Sequence, residues 1–149
     1  MKGEIEKAIS EVLQGMGIEA IGFVVEHPAD LSHGDYATNV AMVLYKKIAN
    51  QMKLAGVEVS TLEMYYYKDG QPRTLVEFAQ LLKEKLEGKI QHVTSISIAG
   101  PGFINFHLDR TFFAEKVAEI IANPEGWGRN DSLTGKKVIV EYTDPNPFK

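Results

Sequence analysis

Apolar residues recur at helical spacing near the start of the chain. Ile5, Ala8, Ile9, Val12, Leu13 and Met16 fall at i, i+3, i+4, i+7, i+8 and i+11, with Lys2, Glu4, Lys7 and Glu11 on the other face. Gly15 and Gly17 stop this helix, because glycine tolerates the left-handed cap. The run IGFVVE, Ile21 to Glu26, is β-prone, and HPADLSHGD after it reads as a loop. Asp35 stands where an N-cap belongs, so a second helix is expected to begin with YATNVAMVLYKKIA, its apolar face built by Ala37, Val40, Ala41, Leu44 and Ile48. Residues 51–73 give no single period. Their tyrosines Tyr65, Tyr66 and Tyr67 and the turn signal Asp69-Gly70 fit a hairpin, a short helix or an ordered loop.

Leu75, Phe78, Ala79, Leu82 and Leu86 resume the helical period, and Gly88 ends it. A hairpin follows: Thr94, Ile96 and Ile98 alternate with Val93, Ser95 and Ser97, AGPG turns the chain, and FINFHL returns. Asp109 is placed to cap a helix with the stripe Phe113, Val117, Ile120 and Ile121. NPEGWGRNDSLTG is a linker by its Gly, Pro and Asn content, and Lys136 to Tyr142 reads as a buried strand. This order predicts an α+β fold, a two-layer sandwich of helices on a small antiparallel sheet, followed by one stray strand.

Composition narrows the class. The chain has 149 residues, enough for one ordinary domain with a core. Its 44% hydrophobic and 24% charged content is that of a soluble globular protein. No apolar run approaches the ~20 residues of a membrane helix, and Met1-Lys2-Gly3-Glu4 opens directly into an amphipathic pattern rather than a signal peptide. Cysteine is absent, which removes disulfides, thiolate zinc sites and a thiol nucleophile and fits a cytoplasmic protein. A net charge of -4 excludes a non-specific nucleic-acid coat, since phosphate binding rests on clustered Lys and Arg, but leaves room for local contacts to RNA.

The chemistry-bearing stretch is GPGFINFHL. Strand alternation puts Ile104, Phe106 and Leu108 on a core face and Phe103, Asn105 and His107 on the other. A ring can stack on an unpaired base, and an amide offers both donors and acceptors to a base edge. One exposed ring with two polar neighbours also occurs on plain sheet surfaces, and by pattern alone that reading is the commoner one. The histidines His27, His33, His92 and His107 lack the i, i+4 spacing of a zinc helix, so no metal site is expected. In SHGD, Ser32, His33 and Asp35 are neighbours in sequence, whereas a catalytic triad needs convergence in space. A tight turn accounts for them.

Near the end, Val138, Ile139 and Val140 are apolar at consecutive positions, as in a strand buried on both faces of a parallel α/β sheet. Ligands bind beyond the carboxyl ends of such strands, which puts Glu141, Thr143, Asp144 and Asn146 at a mouth held still by Pro145 and Pro147. A carboxylate there suits a guanidinium.

VIVEYTDPNPFK closely resembles the first strand and loop of the class I, Rossmann-like catalytic domain of arginyl-tRNA synthetases. HGDYATNVAMVL and GPGFINFHL resemble two stretches of the same enzymes' N-terminal additional domain, and the three occur in the family's order. The Tyr65 to Tyr67 segment departs from the short linker usual in that place.

The resemblance implies an additional domain over 1–122, a linker over 123–135 and the start of the catalytic domain over 136–149. It implies a domain that contacts the tRNA elbow and holds a D-loop base with Phe103 and Asn105, and His107 beside them on the strand is expected to bind the tRNA as well. It also implies arginine binding by Glu141, Asp144 and Asn146 in the full enzyme. That enzyme joins L-arginine to its tRNA through an arginyl-adenylate, using ATP with Mg. The His-x-Gly-His signature and the lysine loop are not among these residues, so the fragment alone is expected to have no catalytic residue, cofactor or adenylation activity. The competing expectation is a domain that braces the rest of the synthetase chain without touching RNA.

Overall fold

In this computed structural model the described residues are 1–20, 22–54 and 63–140. The amphipathic start forms α1 (Lys2–Gly15), which buries Ile5, Ala8, Ile9, Val12 and Leu13. β1 (Val25–Glu26) and a 3-10 turn (Leu31–His33) lead to β2 (Tyr36–Thr38). Then come α2 (Val40–Leu54), the short α3 (Glu63–Tyr66), and a small hairpin of β3 (Tyr67–Lys68) and β4 (Gln71–Pro72). α4 (Leu75–Leu86), β5 (Val93–Ala99), β6 (Phe103–Leu108) and α5 (Arg110–Ala122) follow.

The four-stranded sheet has the order β1-β2-β6-β5, antiparallel throughout. Its inner face carries Val25, Ile96, Ile104 and Phe106. Against it lie Ile9 and Leu13 of α1, Val40, Leu44 and Ile48 of α2, and Phe78, Leu82 and Leu86 of α4. This is the expected α+β sandwich. Each fully buried side chain of this size contributes about 1.5–3 kcal/mol. β5 is an outer strand of the sheet, and its register slips between Val93 and Ser95.

Several expectations are corrected. The second helix begins at Val40, not Tyr36, and Asp35 caps no helix: its carboxylate accepts from the Leu108 N–H at 2.7 Å. Tyr36, Ala37 and Thr38 pair instead with Phe106, Asn105 and Ile104. The open side of β6 needs partners for its backbone groups, and that need outweighs the helical preference of an alanine-rich run. The β-prone run shortens to Val25–Glu26. Residues 51–73 supply a short helix and a hairpin together, with 55–62 outside the described residues. Asp69 and Gly70 both take positive φ, 51° and 76°, as a tight hairpin turn with matching twist requires.

Two compact units divide the chain, Met1–Phe113 and Ala114–Lys149. α5 begins as expected behind Asp109, whose carboxylate accepts from the Thr111 N–H at 2.9 Å. Its apolar stripe is not core: Phe113, Val117 and Ile121 are 40%, 54% and 73% exposed. The strand read over Lys136 to Tyr142 is expected to fray for want of its own sheet, and where it is described no strand is formed. Lys136–Val140 have no strand pairing, and Ile139 is 88% exposed. A strand is stable only beside another that takes its N–H and C=O groups, and the described residues provide none. No helix among the described residues is long and apolar enough to cross a membrane.

Candidate nucleic-acid interface

The outer face of the sheet is built from the alternate residues of the same strands. Across it, Glu26 stands opposite Ala37, Ala37 opposite Asn105, and Asn105 opposite Ser97. Phe103 pairs with Ala99 at the hairpin end of the same face. Ala37 and Ala99 are small, so the face sinks between its larger neighbours. The result is a hollow of about 540 Å³, in the range of small-molecule sites.

Phe103 and Asn105 line this hollow together. Around them stand Glu26, Pro28 and Ala29 on one side, His33 of the 3-10 turn, and Gly100 and Pro101 of the β5–β6 turn. Asn105 is only 2% exposed, and its side-chain amide makes no hydrogen bond with the described residues. Its amide atoms are not sealed off, since among the described residues the buried side-chain polar atom without a partner is Arg73 Nε alone. Its position on the hollow therefore suits recognition of a group that brings its own donors and acceptors.

His107 is on the expected face but outside the lining of the hollow. Its Nε2 lies 3.2 Å from Ser97 Oγ. Its ring packs under Gly34, where φ is +101° and an added Cβ would stand 2.8 Å from the Phe106 carbonyl oxygen. Gly34 thus lets the loop close over β6. The loop is tied further by the Asp35 N–H, which donates to Phe106 O at 2.9 Å, and by His27 Nδ1, 2.7 Å from Asp35 O.

The turn that carries His33 is capped by Asp30, whose Oδ1 accepts from the Ser32 N–H at 2.8 Å. Hydrogen bonds from Ser32 hold the Asp30 carboxyl below its usual range. Burial, with the Asp35 charge behind it, pushes the Tyr36 phenol up. Ser32, His33 and Asp35 form no side-chain relay among the described residues, and no group of three or more metal-ligating side chains gathers there. Glu141, Asp144 and Asn146 lie outside the described residues.

Sequence reasoning missed Glu26, Pro28, Ala29, Ala37 and the Gly100-Pro101 wall. Only Ala37 carried a usable signal, since a strand residue opposite Asn105 has to be small for the hollow to exist. It was hidden by the helical pattern around it.

The sequence model of the family described as "Arginyl tRNA synthetase N terminal domain" matches residues 2–108. Similar curated relatives include the arginine–tRNA ligase of Chlorobaculum tepidum, 35% identical over 141 residues, covering 93% of this chain and 21% of that protein. The arginine–tRNA ligase of Staphylococcus aureus is 35% identical over 144 residues, covering 97% and 22%. The chain thus spans about a fifth of the length of these relatives. Among solved structures, the arginyl-tRNA synthetase of Plasmodium falciparum aligns with a TM-score of 0.57 at 14% identity, covering 80% of this chain and 18% of that one. That likeness shows a shared fold.

Proposed function

The chain belongs to the family of arginyl-tRNA synthetase N-terminal domains, and from that premise we propose that it is the tRNA-contacting module of an arginine–tRNA ligase. In this reading a base of the D-loop, at the tRNA elbow, enters the hollow on the outer sheet face. Phe103 stacks on it and Asn105 bonds its edge. The observation that carries the reading is the amide of buried Asn105, set in the wall of the hollow yet unbonded by the described residues. His107 acts from beside the hollow on the same face, keeping β5, β6 and the Gly34 loop in register.

The whole ligase would join L-arginine to tRNA with ATP and Mg in the cytoplasm. Residues 1–122 would form the additional domain and 123–135 a linker. Residues 136–149 would open the catalytic domain, with Glu141, Asp144 and Asn146 receiving the arginine. These 149 residues by themselves are read as non-catalytic. A second reading, a brace without RNA contact, is favoured by the exposed apolar stripe Phe113, Val117 and Ile121.

A proton–nitrogen NMR titration separates the two. The probes are an unmodified tRNA transcript that accepts arginine and a second transcript altered only in its D-loop. Shifts at Phe103 and Asn105 that vanish with the altered transcript support base reading. No shift with either RNA leaves bracing. Asn105→Ala is expected to weaken binding of the first transcript by about 1–3 kcal/mol, and an unchanged affinity counts against the pocket.

A further inference from the structure

The β3–β4 hairpin lies in the stretch 51–73 that carries no single sequence period, and it leads directly into α4, whose first residue packs on the turn between β5 and β6. Gly102, in the turn whose Gly100 and Pro101 line the hollow, packs on Leu75: a Cβ on Gly102 would lie 3.2 Å from Leu75 Cγ. Leu75 opens α4, and Arg73 precedes it by two residues. The start of α4, three residues beyond the hairpin, therefore touches the turn that walls the hollow.

The junction between hairpin and helix is tied down. The Tyr45 hydroxyl donates to the Arg73 carbonyl at 2.6 Å, and the Arg73 N–H donates to Tyr66 O at 2.7 Å. Tyr66 packs on Tyr45, their centroids 5.6 Å apart, and Tyr67 stands edge-on to Tyr66 at 5.1 Å and 89°, remaining 38% exposed. The hairpin and the residue after it carry cations in an acidic chain. Lys68 and Arg73 form no ion pair with the described residues, and the Arg73 Nε is buried without a partner there. The carboxylate that feels both of them, Glu77, is already taken by Thr74. Asp69 is the other acid of the hairpin, at its tip.

We propose that this hairpin is a second contact for the same RNA, with Lys68 and Arg73 on its phosphate backbone and Tyr67 against a sugar or base face. The inference rests on the reading of the hollow as a base pocket. A ring flanked by cations that no described residue pairs is the combination that tracks a nucleic-acid strand, and the Leu75–Gly102 contact links this segment to the turn at the hollow.

The test is the salt dependence of binding for the 149-residue chain with the two transcripts above. Lys68→Gln and Arg73→Gln are each expected to make the slope of log K against log salt shallower by about 0.7–0.9. Both should still discriminate against the altered D-loop. Asn105→Ala should do the reverse, keeping the slope and losing the discrimination. Lys68 is an exposed residue, so its variant reads charge without disturbing the core. Unchanged slopes in both glutamine variants, with discrimination intact, overturn the hairpin contact alone. Shallower slopes without any D-loop discrimination in the unsubstituted chain support the hairpin and overturn the base pocket. No binding by the unsubstituted chain overturns both.

Discussion

Gly34 and Asn105 show how single residues shape the outer face of the sheet. Gly34 has both a left-handed φ and no room for a side chain, since backbone oxygen lies 2.8 Å from an added Cβ. Gly34→Ala is expected to destabilise the fold by about 1–3 kcal/mol, read from the midpoint of denaturant unfolding. Gly15 is the contrast: it is helical, and nothing stands within 4 Å of an added Cβ. Gly15→Ala should therefore be neutral or raise stability by up to about 1 kcal/mol. Sequence alone showed that Asn105 shares a face with Phe103, because alternation along a strand is a local property. It could not show that Asn105 is buried, because its cross-strand neighbour Ala37 is distant in sequence and brought near only by the sheet.

Among the elements, α4 is the one whose beginning is most firmly specified. Thr74 Oγ1 accepts from the Glu77 N–H at 3.2 Å, while Glu77 Oε2 accepts from the Thr74 N–H at 2.7 Å, a reciprocal capping box. The backbone N–H of Thr74, then its hydroxyl, hold the Glu77 carboxyl below its usual range. The folded form thus binds this proton less readily than the unfolded form. The stabilisation is complete above the ordinary glutamate range, ~4.3, and fades as pH falls through the depressed value. Thr74→Ala should cost about 1 kcal/mol at neutral pH, with a smaller difference from the unsubstituted chain in acid, measured by thermal unfolding at several pH values. α1, α4 and the β5–β6 hairpin were legible because their periods are long and regular. β2 was not, since three residues are too few to show a period and its pairing with β6 is a long-range event. α5 shows the same limit from the other side: its stripe marks a helix but does not say what, if anything, it packs on.

For the molecule as a whole, the order of local motifs along the chain was enough to point to the family, while the hollow needed four strands and two loops to converge. The acidic balance of -4 puts the weight of any RNA contact on a few well-placed groups rather than on a general field. The position of β5 has a separate consequence, for how copies of the chain behave in concentrated solution. Seven residues long and at the border of the sheet, it offers backbone groups that another copy could zip onto. Two features discourage this. The register slip near Ser95 bends the strand out of line, and Thr94, Ser95 and Ser97 interrupt what would otherwise be a continuous apolar ribbon. Replacing those three residues with valine is expected to leave the internal pairing with β6 in place and to turn the protein into one that clouds on storage. Light scattering at matched concentrations would register the change, and clear solutions from the triple variant would mean that the bend alone is sufficient protection.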